Sequence, residues 1–159
     1  MALIEVLRWL HVIGAAVLLG TGAGIAFFMV MAHRTGDSKI IAHVTQTVVA
    51  ADYLFTATAA VAQPITGIAL ARQTGWPLSE GWMAASIGLY VLIGVFWLPV
   101  VWIQTQICRI ATCAAYSGLE LGPDYHRLFR IWFLCGVPAF TAMLAIFWLM
   151  VARPHFQLF

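Results

Sequence analysis

Four long apolar segments make up most of this chain, and they constrain its fold more than any other feature. They cover residues of about 4–32, 41–71, 82–113 and 127–152. A helix that crosses a bilayer needs about 20 predominantly apolar residues, and each segment exceeds this minimum. We therefore predict four transmembrane helices, with tilt or extension beyond the membrane taking up the additional length.

The connections between these segments are short and polar, at residues 33–39, 72–81 and 114–125. The second and third contain glycine and proline, which interrupt helices. Because short connections between long helices make neighbouring helices antiparallel, we expect an all-α integral membrane protein. Residues 1–159 would form a single membrane domain, an antiparallel up-down four-transmembrane-helix bundle.

The amino-acid composition indicates a membrane protein and argues against a nucleic-acid partner. Hydrophobic residues are 63% of the chain and charged residues only 9%, whereas a soluble domain needs far more charge. A net charge of +2 gives no support for a nucleic-acid partner. The expected partner is the lipid bilayer, and a homo-oligomer or membership of a larger membrane complex stays open. The three cysteines have no CxxC spacing, and we interpret them as small hydrophobic side chains.

The distribution of basic residues suggests an orientation. Five lie on one side of the predicted bundle and three on the other, namely Arg34, Lys39, Arg109, Arg127 and Arg130 against Arg8, Arg72 and Arg153. The positive-inside rule then places loops 33–40 and 114–126 in the cytoplasm, with both termini in the periplasm of a bacterial inner membrane. Four tryptophans fit an aromatic belt at the outward boundary: Trp9, Trp76, Trp82 and Trp148. The first segment is too long for a cleavable signal peptide and is expected to stay as a membrane helix.

His11 is the most informative polar residue, because an imidazole inside a membrane is costly unless it has a partner. On a helix it shares a face with small or apolar residues: Gly14, Ala15, Leu18, Gly22 and Ile25. One interpretation is an axial ligand to haem iron. The alternative is a hydrogen-bonded histidine at a helix contact, with the glycines serving packing. No second histidine lies at this depth, so a second histidine ligand would require His155 in the C-terminal tail or another subunit.

Four other polar residues fall inside the predicted spans, and each is a candidate for a proton path or a helix contact: Asp52, Gln63, Thr66 and Gln104. Asp52 is the only acidic residue well inside a span. It is expected to be protonated, to pair with an arginine such as Arg109 or Arg130, or to belong to a proton path.

Five stretches in order resemble the integral membrane family named domain of unknown function 2269, and the resemblance covers nearly the whole chain. They are Arg8-Trp9-Leu10-His11-Val12-Ile13-Gly14, Ala51-Asp52-Tyr53-Leu54-Phe55-Thr56, Gln63-Pro64-Ile65-Thr66-Gly67, Trp97-Leu98-Pro99-Val100-Val101-Trp102-Ile103-Gln104 and Trp148-Leu149-Met150-Val151-Ala152-Arg153-Pro154. A more distant similarity is to the J-type protoporphyrinogen oxidases, which are four-helix membrane proteins that bind haem b. The matching positions are Arg8 and His11, then Pro64, Thr66 and Gly67, then Arg153 and Pro154.

This distant resemblance implies a haem-b site, but one position departs from it. The oxidase family has a lysine four residues after a tryptophan of the third helix, whereas Trp82 is followed there by Ser86. A serine hydroxyl cannot replace an amine or ammonium group, which puts oxidase activity in doubt. We expect a haem-b-binding membrane protein in electron transfer or haem-linked redox chemistry, with iron bound by His11. The other residues expected near the cofactor are Arg8, Gly14, Ser86 and His155. The alternatives are a protoporphyrinogen-oxidase-like enzyme and a non-catalytic subunit or scaffold of a larger complex.

Overall fold

The computed structural model describes residues 2–154, and the regular structure in this range is helical throughout. It contains five α-helices and one π-helical turn: α1 Ala2–Thr35, α2 Ser38–Ala51, the π-helical turn Asp52–Thr56, α3 Ala57–Thr74, α4 Gly81–Ser117 and α5 Pro123–Ala152. α2, the π-helical turn and α3 form one continuous helical rod. The described residues therefore contain four rods, each long and apolar enough to cross a membrane. The predicted all-α four-helix membrane architecture is confirmed.

Local sequence signals explain where the rods begin and end. The side chain of Asp37 accepts a hydrogen bond from the backbone N–H of Lys39 at 2.8 Å and caps the start of α2. Gly75 and Gly118 end α3 and α4 in the left-handed conformation, with φ of 74° and 64°, which glycine adopts without steric cost. Pro123 opens α5, where its missing N–H is not needed. The antiparallel order puts residues 2, 75–80 and 152 on one side of the bundle, called here the terminal side, and the opposite end is the distal side.

The π-helical turn is the one backbone feature that the sequence did not predict. Residues 52–56 lie between α2 and α3, and a π turn takes up an additional residue without ending the helix. As a result Asp52 and Thr56, at the two ends of the turn, are both buried, at 4% and 8% exposure. The turn therefore directs two polar side chains into the middle of the bundle.

The four rods are packed tightly in the distal half. One apolar cluster there takes residues from α1, α2, α4 and α5, among them Met29, Ile41, Ile107 and Trp132. A second, smaller cluster closes the terminal side around Ala71, Trp82, Met83 and Leu149. In the terminal half α3 packs on α1 and α4 packs on α5, whereas the contacts of α2 with α4 belong to the distal half. The two pairs of helices therefore leave space between them in the terminal half.

The terminal-side tryptophans do not all behave as a lipid-facing belt. Trp9, Trp76 and Trp148 are exposed, whereas Trp82 is only 5% exposed and belongs to the terminal apolar cluster. The guanidinium carbon of Arg153 lies 5.8 Å from the ring centroid of Trp82 and 6.0 Å from that of Trp76, which is within the range of a cation–π interaction. Trp82 therefore packs inside the bundle beneath Arg153. The prediction that it belongs to a lipid-facing aromatic belt is wrong.

Candidate functional site

His11 lies on α1 with its ring half-buried against α3. Its Nδ1 is 3.0 Å from Oγ1 of Thr66. The Thr66 hydroxyl donates in turn to the backbone carbonyl of Ala62 at 2.8 Å, so its oxygen is left to accept the proton of His11 Nδ1. The bond from Thr66 to Ala62 therefore favours the tautomer in which Nδ1 carries the proton and Nε2 the lone pair.

A glycine on α3 makes room for the imidazole. A Cβ atom added to Gly67 would stand 3.1 Å from Cε1 of His11, closer than most side-chain contacts allow. The ring therefore packs directly against the α3 backbone. Its position is set by one hydrogen bond and one close van der Waals contact, both of which come from the stretch that contains Thr66 and Gly67.

A reciprocal contact runs in the other direction, from α3 to α1. The side chain of Gln63 donates from Nε2 to the backbone carbonyl of His11 at 2.8 Å. The Gln63 side chain passes over Gly14, where an added Cβ would stand 2.5 Å from Gln63 Nε2. Each helix thus supplies one glycine and one polar side chain that fits the other helix's glycine. We call these four residues, His11, Gly14, Gln63 and Gly67, the glycine clasp.

A cavity of about 390 Å³ begins next to the clasp and runs toward the middle of the bundle. Its walls come from all four rods and are mainly apolar: Ala15, Leu18, Thr56, Ala57, Ala60, Val61, Gln63, Tyr90, Ile93, Gly94, Trp97, Leu98, Met143, Ile146 and Phe147. Ala15 and Leu18 belong to the small-residue face predicted for His11, but His11 itself is not a wall residue. Gln63 is the one residue that belongs to both the clasp and the cavity wall.

Tyr90 crosses from α4 to satisfy a backbone carbonyl of α3. Pro64 has no N–H, so it leaves the carbonyl of Ala60, four residues earlier, without its helical donor. The hydroxyl of Tyr90 donates to that carbonyl. Neighbouring helices are known to satisfy backbone groups freed by proline inside membranes. This bond joins the two helix pairs across the cavity.

Asp52 is buried beside two residues of the cavity wall, Thr56 and Trp97, and both side chains are its hydrogen-bond partners. Trp97 Nε1 donates to Asp52 Oδ1 across a long 3.4 Å contact. Arg109 and Arg130, the arginines considered as partners from the sequence, are both exposed. Trp97 and Thr56 line the cavity, whereas Asp52 is not one of its wall residues.

Three of the remaining predicted site residues belong neither to the glycine clasp nor to the cavity wall. Arg8 is exposed on α1. Ser86 is 3% exposed and donates its hydroxyl to the carbonyl of Trp82 at 2.7 Å, so it takes no part in the cavity wall. Gln104 accepts from Trp132 Nε1 at 2.9 Å inside the distal cluster region. His155 lies outside the described residues.

Within residues 2–154 no group of three or more histidine, cysteine or acidic side chains could hold a metal ion.

The family comparison accounts for nearly the whole chain. The model of the family described as predicted integral membrane protein, DUF2269, matches residues 5–154. This chain belongs to the DUF2269 family. Its matched range includes all four rods, the glycine clasp and the cavity. No curated protein matches the chain, and no solved structure matches it.

Several residues of this DUF2269 site were not singled out by the sequence. Tyr90 bonds to Ala60 and Trp97 bonds to Asp52 through contacts between elements, and no spacing along one helix reveals them. A partial signal existed for Gly67, because it follows Gln63, Pro64 and Thr66 in one short polar stretch.

Proposed function

We propose that this DUF2269 protein is a haem-b-binding integral membrane protein in electron transfer or haem-linked redox chemistry, with Nε2 of His11 as the iron ligand. The observation that carries the proposal is the 3.0 Å contact of His11 Nδ1 with the Thr66 hydroxyl, which favours the tautomer with the lone pair on Nε2. Nδ1 is engaged by Thr66. Histidines that bind metals usually donate the other ring N–H to an oxygen, which orients the ring and raises its basicity.

The donor set and the surroundings fit this group. Imidazole is a common protein ligand of haem iron, and the apolar walls that begin at Ala15 and Leu18 suit a large apolar macrocycle. Haem, when bound, supplies one-electron chemistry at its iron. The residues of the chain have separate roles in this proposal. His11 would bind the iron, and Thr66 and Gly67 would orient the imidazole ring. The apolar side chains of α1 and α5 would exclude water from the bound haem.

An absorbance spectrum tests the proposal. The protein would be produced in cells supplied with 5-aminolevulinic acid, purified in mild detergent, and recorded with and without dithionite. We expect a Soret band and a sharpening of the visible bands on reduction. A colourless protein from cells with ample haem would contradict the proposal.

A second candidate function, a non-catalytic subunit or scaffold of a larger membrane complex, is favoured by the glycine clasp. The clasp uses His11 and Gln63 to join two helices at glycines, as small residues do at membrane helix contacts. Under this function His11→Ala would weaken the bundle, and the protein would carry no cofactor. Native mass spectrometry of a mild detergent extract would then show the chain with other subunits or with copies of itself.

Protoporphyrinogen oxidase activity is the third possibility, and the position of Ser86 weighs against it. The lysine expected there from the resemblance is replaced by a hydroxyl that already donates to Trp82. Growth of a strain that lacks its own protoporphyrinogen oxidase, supported by this gene, would establish the activity. We expect no growth.

A further inference from the structure

The distal end of α5 carries a recess that is separate from the cavity beside the glycine clasp. It has a volume of about 510 Å³ and is lined by five residues: Pro123, His126, Arg127, Arg130 and Ile131. Their spacing of i, i+3, i+4, i+7 and i+8 puts them on one face of the helix. All five are exposed. This face is therefore open to the surroundings of the protein rather than packed against another helix.

The wall of the recess is positively charged. Two of its residues are arginines and a third is a histidine, whereas Asp124, the one acidic residue of α5, is not a wall residue. Arg127 and Arg130 are three residues apart, so their side chains are neighbours on the helix and can reach the same group. Guanidinium groups bind phosphate oxygens through paired hydrogen bonds. The recess therefore favours an anion that carries a phosphate.

The recess lies at the level where lipid headgroups are expected. α5 has 30 residues, which at about 1.5 Å per residue gives about 45 Å, the thickness of a bilayer together with its headgroup layers. Arg127 and Arg130 lie about 6 Å and about 10 Å from the distal start of α5. Their long side chains can extend from this depth to the phosphates of the bilayer surface.

Apolar side chains continue the same face toward the middle of the membrane. Leu134 follows Arg130 by four residues, and Val137 follows Leu134 by three, which keeps both on this face. They are 68% and 51% exposed. A face that is basic at the headgroup level and apolar below it matches a phospholipid, because the acyl chains of the lipid continue inward from its phosphate. A water-soluble phosphate would match only the basic part.

We propose that this face of α5 binds an anionic phospholipid, with its phosphate at Arg127 and Arg130 and an acyl chain along Leu134 and Val137. Basic pockets on membrane helices bind such headgroups. A zwitterionic lipid is a poorer match, since the cation of its own headgroup would lie near the two guanidinium groups. The inference does not rest on the haem proposal, because the recess is at the distal end of the bundle and His11 is in the terminal half.

Native mass spectrometry of the protein in mild detergent tests the lipid class. The protein would be titrated with phosphatidylglycerol or with phosphatidylcholine of identical acyl chains. We expect one phosphatidylglycerol per chain, bound about tenfold more tightly than phosphatidylcholine. Equal affinity for the two lipids would overturn the proposal. An excess of inorganic phosphate should leave phosphatidylglycerol bound, and its displacement would show a site for soluble phosphate instead of lipid.

Two pairs of basic residues on the distal side provide matched variants. Arg127→Gln/Arg130→Gln removes two charges from the recess. Arg34→Gln/Lys39→Gln removes two charges from the same side of the bundle but outside the recess, and all four residues are exposed. We expect the first variant to lose the preference for phosphatidylglycerol and the second to keep it. An equal loss in both would indicate general attraction of the distal side for anions, which would contradict a site on α5.

Arg127→Lys/Arg130→Lys separates charge from hydrogen-bond geometry. It keeps both positive charges and removes the planar groups that bind phosphate through two parallel bonds. We expect phosphatidylglycerol to bind about 3- to 10-fold more weakly than to the unaltered protein. Unchanged affinity would overturn the assignment of paired guanidinium bonds to the phosphate. Circular dichroism and a thermal melt of each variant confirm that the fold is retained.

Discussion

The imidazole of His11 lies directly against Gly67, where an added Cβ would stand 3.1 Å from the ring's Cε1. One turn along α1, Gly14 receives Gln63 in the same way, with an added Cβ only 2.5 Å from the amide nitrogen. Two helices that exchange side chains at glycines are held in register, because neither can slide without a clash. This register places His11 Nδ1 within hydrogen-bond distance of Thr66 Oγ1.

A graded series of glycine substitutions tests the clasp. Gly14→Ala should lower the free energy of unfolding by about 1–3 kcal/mol, because the new methyl group displaces Gln63. Gly67→Ala should cost less, because a shift of a few tenths of an ångström relieves a 3.1 Å contact. Unfolding in detergent mixtures of increasing SDS content measures both.

Gly24→Ala is the control for this series. It lies on the same helix as Gly14, and its added Cβ meets nothing within 4 Å. Since alanine favours helix over glycine, we expect no loss of stability. Equal destabilisation at positions 14 and 24 would mean that general helix effects, rather than the clasp, determine stability.

The bond from Tyr90 to Ala60 predicts a coupling with Pro64. Tyr90→Phe should cost about 1–3 kcal/mol of unfolding free energy, because it leaves the carbonyl of Ala60 unsatisfied. In a Pro64→Ala background the same change should cost about 1 kcal/mol less, because the backbone N–H restored at position 64 can reach that carbonyl. A double-mutant cycle measured by the same unfolding method checks this, with the exposed Tyr53→Phe as control. If the unfolding costs of Tyr90→Phe and Pro64→Ala were additive, the backbone N–H at position 64 would not replace the Tyr90 hydroxyl as donor to Ala60, which would contradict the prediction.

The four rods could be predicted from the sequence because length and hydropathy decide them. Each apolar segment was long enough to span a bilayer, and glycine and proline marked the connections. The π-helical turn at Asp52–Thr56 could not be predicted, since a single additional residue leaves the apolar pattern almost unchanged. It is nevertheless the feature that buries both Asp52 and Thr56.

Arg153 should stabilise the terminal side through its position over two indoles. The guanidinium lies about equally far from Trp76 and Trp82. Because Arg153 is exposed, Arg153→Gln should lower the unfolding free energy by only about 0.5–1 kcal/mol. Arg72→Gln, an exposed arginine on the same side, is the control for loss of charge. If Arg153→Gln and Arg72→Gln lowered the unfolding free energy equally, the loss of positive charge, rather than the cation–π contacts, would explain the effect.

The orientation in the membrane is a proposal that reporter fusions can test. The basic residues near the distal side predict cytoplasmic loops at 33–40 and 114–126 and periplasmic termini. An alkaline phosphatase fused after residue 159 should be active, and a green fluorescent protein at the same place should be dark. The opposite pattern would reverse the orientation and place the cavity in the cytoplasmic half of the bilayer.

The candidate site could be predicted only as a set of residue types. His11, Gln63 and Thr66 were chosen because polar groups inside a membrane need partners, and the structure brings these three together. The partners of Asp52 and Ala60 depend on how α4 crosses α3, which no single-helix pattern contains. Ser86 was a candidate for the proposed haem site by resemblance alone, and its hydroxyl donates to the carbonyl of Trp82 in its own helix.

Haem content in two matched histidine variants is the most direct test of the proposed role of His11. His11 and His33 are both half-buried on α1, and each has its Nδ1 3.0 Å from a hydroxyl oxygen, that of Thr66 and that of Tyr125 respectively. The pyridine haemochrome assay on purified protein would give haem per chain. We predict bound haem in the unaltered protein and in His33→Ala, and its loss in His11→Ala with the fold retained. Equal haem content in the two variants would contradict the assignment of His11 as the ligand.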